Sequence, residues 1–178
     1  MKLKFKPKPP KKLKKTTLKR FLIKRTIYYV LPNVFFNFII AYASFKELGY
    51  THFFSGEQNL ARLTLPMALF LPVVLTIDII KRVTDAAGQG AIEFTVDEAL
   101  NINKLMTKLS ILHGVITCSL VLAMLFLGQY NFSKDYKLDA TAMAVVVGTL
   151  AGILSVVFVY LPVKKLKKYL YPQVEIIS

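Results

Sequence analysis

The chain has 178 residues, 54% of them hydrophobic, a formal charge of +14 and a mean hydropathy of +0.49. That is more apolar residue than a soluble core of this length needs. One cysteine, Cys118, excludes an intrachain disulfide framework or a cysteine-based zinc site.

Residues 1–15 alternate lysine with proline and leucine. Prolines at 7, 9 and 10 oppose a helix and like charges repel, so residues 1–17 are expected to form an extended, polybasic cytoplasmic tail. Thr16 or Thr17 can cap a helix that opens near Leu18. From Leu18 to Ile27, apolar Leu18, Phe21, Leu22 and Ile23 alternate with Lys19, Arg20, Lys24 and Arg25. The pattern predicts a helix lying among lipid headgroups before the chain turns into the bilayer.

Four apolar runs then follow, at about 27–45, 60–80, 109–127 and 140–163. Each approaches the roughly 20 residues a helix needs to cross hydrocarbon, where every backbone group must be paired within its own segment. The sequence therefore predicts an all-α, four-helix transmembrane bundle over 18–171, with 172–178 as a second cytoplasmic tail. Pro32, Pro66 and Pro72 fall inside the first two spans and Pro162 at the exit of the fourth. Gly88-Gln89-Gly90 breaks the chain after span two. Thr95-Val96-Asp97-Glu98 has the capping-box form, which predicts a third helix that starts near Thr95 and projects below the membrane before it spans.

Charge orients the bundle. Twelve basic residues precede Thr26, Lys81, Arg82, Lys104 and Lys108 flank the middle linker, and Lys164, Lys165, Lys167 and Lys168 follow span four. Only Lys46, Arg62, Lys134 and Lys137 lie in the other two loops. Lysine and arginine gather on the cytoplasmic side, so both termini are expected there. A lysine-rich, arginine-poor leader fits a bacterial inner membrane rather than an organelle. Ala41-Tyr42-Ala43 has the small-x-small form of a signal-peptidase site, but the apolar run continues through it without a loop. Spans one and two, and spans three and four, form successive hairpins of the same orientation, the outline of two parallel repeats.

Two groups of residues are candidate sites. In span four, Ala144, Gly148, Gly152 and Ser155 share one face and contain a GxxxG step, which lets another helix approach closely. That helix is either a neighbour in the same chain or a second subunit. The other group is polar. Asn33 and Asn37 lie on one face of span one, Asp78 near the end of span two, and Ser110, His113 and Thr117 on one face of span three. They either converge on a polar pocket, with His113 relaying a proton from Asp78, or simply bridge helices, Asp78 pairing with Lys81 or Arg82. Cys118 reads as a small packing residue and His52, among Tyr50, Phe53 and Phe54, as an interface residue. Lys134/Asp135 and Lys137/Asp139 read as a solvated loop.

No metal cluster, catalytic triad, Walker loop or dinucleotide fingerprint is present in the sequence, so neither enzyme nor cofactor is expected. The tail lacks the aromatic spacing that nucleic acid would need. Lys11, Lys12, Lys14, Lys15, Lys19 and Arg20 instead point to anionic phospholipid headgroups or an acidic partner. A scaffold or accessory subunit, homo-oligomeric or bound to another membrane protein, is the expected function. An oligomeric channel or small-solute transporter is the alternative.

Asn37-Phe38-Ile39-Ile40, Leu48-Gly49 and Phe70-Leu71-Pro72-Val73-Val74-Leu75 with Lys81-Arg82 give residues 32–83 a further meaning. This stretch resembles a bacterial family of two-helix-hairpin membrane proteins of unknown function. The resemblance implies a cytoplasmic-membrane location and no known activity.

Overall fold

The computed structural model describes residues 16–132 and 136–172. Four long helices dominate it: α1 (Leu18–Phe45), α2 (Leu60–Gly88), α3 (Ile102–Asn131) and α4 (Ala140–Leu166). Each opens on a side-chain oxygen that takes up an otherwise unpaired backbone N–H. Thr17 accepts from the amide of Arg20, Asn59 from Arg62, Asn101 from Lys104 and Asp139 from Ala142, at 2.7–3.3 Å. Asp139, expected in a solvated loop, is thus the cap of α4. The architecture is an all-α four-helix bundle.

Short strands tie the ends together. β1 (Tyr50–Thr51) pairs antiparallel with β3 (Leu138–Asp139), and β2 (Phe94–Val96) with β4 (Leu170–Pro172). The second pair corrects the expected start of helix three. Thr95 lies opposite Tyr171 in the ladder, and the Asp97 amide donates to the Tyr169 carbonyl. Extended backbone bound to a strand cannot also be the first turn of a helix. The Asp97 carboxylate takes the Ala99 amide in a local turn, and α3 starts seven residues later than expected, at Ile102. Helix three therefore does not project as a cytoplasmic stalk from Thr95. A second correction concerns Leu18–Ile27. This segment is the first part of a continuous α1, not a separate headgroup helix, because Leu18 and Leu22 are buried against Ile79, Val83 and Leu166.

The helices that pack together are not the ones joined by the short loops. α1 lies along α4, α2 along α3, and α2 and α4 meet at the centre, whereas the backbones of α1 and α2 scarcely approach each other, nor do those of α3 and α4. This arrangement is unchanged when the halves are exchanged: α1 on α4 becomes α3 on α2, and each strand pair maps onto itself. Burial follows the same rule. Moving 84 residues along from Leu18 to Ile102, every buried or half-buried position of α1 lands on one of α3, and every exposed position on an exposed one. Moving back 83 residues, every buried or half-buried position of α4 from Met143 to Leu166 lands on one of α2. The bundle is built as two equivalent hairpins that embrace, each lending its first helix to the other's second.

Two apolar cores sit at opposite ends. Leu18, Ile80, Val83, Leu109, Val163 and Leu166 belong to the end that carries most of the lysines, here the basic end. Ala41, Phe45, Leu60, Leu125, Leu138 and Ala144 belong to the loop end. Between them the outer surface is apolar. Leu31, Phe35, Phe36, Phe70, Val74, Leu120, Met124 and Ile153 are all more than half exposed. Of the most apolar stretch of α1, only 6% is buried. Soluble proteins rarely expose apolar patches of such extent. All four helices are long and apolar enough to cross a membrane, as in a multi-pass membrane protein.

Candidate functional site

The span-four face lies against α1. A Cβ placed on Gly148 would come within 3.0 Å of Phe38 Cβ and 3.2 Å of the Val34 carbonyl oxygen; on Gly152 it would come within 2.7 Å of Val34 Cγ2. Ala144 and Ser155 are buried on the same side. The GxxxG step is filled within the chain, by Val34 and Phe38 of α1. The other half reverses the roles. The positions of α2 that correspond to the two glycines carry Leu65 and Leu69, and the small residues are on α3: Gly114, and Cys118 with its Sγ 3.9 Å from the Leu65 carbonyl. Large-into-small packing is conserved at both interfaces while the helix supplying the small residue changes.

The six polar candidates separate into distinct contacts. Asn33 on α1 donates through Nδ2 to Ser155 Oγ on α4 at 2.9 Å, and Ser155 donates in turn to the Ala151 carbonyl. This joins a member of the polar group to a member of the packing face. Asn37 donates through Nδ2 to the Asn33 carbonyl one turn back, a bond within α1. Ser110 likewise donates to the Thr107 carbonyl. His113 Nδ1 lies 2.9 Å from Thr76 Oγ1 on α2, and its ring packs 5.1 Å from that of Phe158 on α4. Thr117 is buried one turn further along the same face of α3. Asp78 accepts from Arg82 Nε at 2.6 Å and from the Tyr29 hydroxyl, a bond from α1 to α2. The residues nearest to the two candidate relay groups are therefore Thr76 for His113, and Tyr29 and Arg82 for Asp78. None of five clefts of 400–540 Å³ on the molecule is lined by any of the six polar candidates.

Tyr29 is the functional-group contact that the sequence candidates did not include. Its spacing held the signal: Tyr29, Asn33 and Asn37 recur every four residues and share one face of α1. The 84-residue shift places Tyr29 on His113 and Asn33 on Thr117. Both halves thus present a ring with a polar edge, then a small polar side chain one turn on. Both rings reach α2, one at Asp78 and the other at Thr76.

Of the basic candidates, Lys19 and Arg20 are exposed at the start of α1. Arg20 lines a 430 Å³ cleft with Phe21, Lys24, Arg25 and Tyr28, where the Arg25 guanidinium stands 5.1 Å over the Phe21 ring. Lys11, Lys12, Lys14 and Lys15 fall outside the described residues, as do Lys134 and Asp135. Lys137 places its ammonium 4.3 Å from the centre of the Tyr50 ring, and His52 Nδ1 lies 3.0 Å from the Tyr136 carbonyl. These two contacts join the two loops beside the β1–β3 ladder. Among the described residues, no group of three or more His, Cys, Asp or Glu side chains is placed to hold a metal ion.

Comparison with protein-family models, with curated proteins and with solved structures finds no match to this chain.

Proposed function

We propose that the chain is a non-enzymatic component of a bacterial cytoplasmic membrane, a scaffold or accessory subunit with both termini in the cytoplasm. The observation that carries this reading is how the intramembrane polar side chains are used. Asn33, Asn37, Asp78, Ser110 and His113 all have hydrogen-bond partners on their own or a neighbouring helix. The bonds of Asn33 to Ser155, His113 to Thr76 and Asp78 to Tyr29 join neighbouring helices; a permeation path would instead leave polar groups facing a water-filled lumen. The positive charge at one end supports the orientation, since cytoplasmic segments carry the excess of lysine and arginine. The resemblance of residues 32–83 to two-helix-hairpin membrane proteins agrees with this location.

The cytoplasmic contact surface in this reading is the polybasic tail together with the linker from Gln89 to Asn101, which the β2–β4 ladder holds against the end of the bundle. It recruits anionic headgroups or an acidic membrane-protein partner. Copurification tests this. A partner that elutes with the full chain and is lost when residues 1–15 are removed supports the scaffold. Solute or ion flux through reconstituted liposomes, abolished by Asn37→Leu and His113→Leu, would instead establish the channel or transporter.

A further inference from the structure

At the basic end a cleft of 400 Å³ opens between α1 and α4. Leu22 forms one wall; Val157, Tyr160 and Leu161 form the other, with Lys164 and Lys167 at the mouth. Val157, Tyr160, Leu161 and Lys164 recur along α4 at three- and four-residue intervals, so they share one face, and Lys167 follows directly after the helix. No acidic residue lines the cleft. Val157 and Leu161 belong to the exposed apolar band. The two lysines stand roughly 10 to 15 Å further along the axis, at 1.5 Å per residue. An apolar trough lined at one end by two lysines, with no acidic residue beside them, suits an amphiphile with a hydrocarbon chain and an anionic head.

The second half of the bundle supplies a comparison. The shifts of 83 and 84 residues carry Lys164 to Lys81, Lys167 to Thr84 and Leu22 to Met106. A 540 Å³ cleft lies at that place, lined by Lys81, Thr84, Asp85 and Met106 among others. It has kept one lysine, lost the other, and gained a carboxylate. Both halves have a cleft here, but only the one between α1 and α4 has an all-positive mouth.

We propose that the α1/α4 cleft is a binding site for a single anionic phospholipid. Lys164 and Lys167 hold the headgroup phosphate, and an acyl chain lies along Leu22, Val157 and Leu161. Ammonium groups near a membrane surface attract anionic lipid, and the lysine stems reach the headgroup level while their methylenes stay in hydrocarbon. The proposal rests on the reading that the four helices lie in a bilayer. It does not depend on the scaffold function or on the polybasic tail.

The test is phospholipid retention by the full chain, purified from bilayers of mixed phosphatidylglycerol and phosphatidylcholine and weighed by native mass spectrometry. One phosphatidylglycerol should remain bound in preference to phosphatidylcholine, and Lys164→Gln with Lys167→Gln should lower its retention roughly tenfold. Lys164→Arg with Lys167→Arg should preserve it, which separates lost charge from lost fold. Lys81→Gln, at the corresponding cleft, and removal of residues 1–15 should leave it unchanged. Equal retention by the double glutamine variant overturns the proposal, as does an equal loss from Lys81→Gln. A chain that stays in the supernatant after ultracentrifugation without detergent overturns the bilayer reading itself.

Discussion

Gly114 of α3 lies so close to Leu69 of α2 that a methyl group in place of its hydrogen would sit 2.8 Å from the Leu69 carbonyl oxygen. That oxygen belongs to a helix backbone and cannot rotate away. Helices in lipid associate largely through packing of this kind, so the glycine determines how near α2 and α3 can come.

Gly114→Ala should accordingly destabilise the bundle by about 1–3 kcal/mol, the usual cost of overpacking. Trimming Val73, the other atom source in contact, should not recover the loss because the carbonyl remains. Gly152→Ala should behave differently: its obstacle is Val34 Cγ2, a side-chain atom. Val34→Ala in the same chain should restore most of the stability. Unfolding titrations in mixed detergent micelles measure both effects.

The bond from Asn33 to Ser155 joins α1 to α4 in mid-bundle. A double-mutant cycle with Asn33→Leu and Ser155→Ala should give a coupling near 0.6 kcal/mol, the average for hydrogen bonds between membrane helices. Asn37→Leu should show no coupling to Ser155, because Asn37 bonds to the Asn33 carbonyl in its own helix and Ser155 bonds to the Asn33 side chain.

Tyr29, Asp78 and Arg82 form a chain in which one carboxylate serves two donors. Tyr29→Phe removes one donor and leaves the ion pair, so a loss of about 1 kcal/mol is expected. Asp78→Leu removes the acceptor from both partners and should cost more than Tyr29→Phe. The order of these two losses, read from the same unfolding titrations, checks the shared carboxylate.

Asn101, and not Thr95, caps α3. Asn101→Ala should therefore cost about 1 kcal/mol and raise hydrogen exchange at the amide of Lys104, whereas Glu98→Ala should change neither.

Much of this protein could be read before any coordinates. Four apolar runs became four helices, Thr17 became a cap, Gly88-Gln89-Gly90 ended α2, and Asp78 paired with Arg82 one turn away. These features rest on neighbours within a few residues, or on the solvent that a run of some twenty apolar side chains requires. The fate of Thr95 was not legible, because a capping box and a strand edge look alike until Tyr171, 76 residues away, lies alongside. Nor was the site: Asn33, Asp78 and His113 are recognisable as polar residues in apolar helices, but their partners Ser155, Tyr29 and Thr76 lie on other helices.

The chain alone determined the number of helices and the end of the bundle where charge gathers, since hydropathy and charge act residue by residue. Which helices embrace was decided in three dimensions. Gly148 and Gly152 permit a close neighbour but do not name it; the fit of Val34 and Phe38 on α1 does. In hydrocarbon every helix surface is about equally apolar, so only shape and a few hydrogen bonds tell one neighbour from another. Both depend on residues that meet only after the chain has folded.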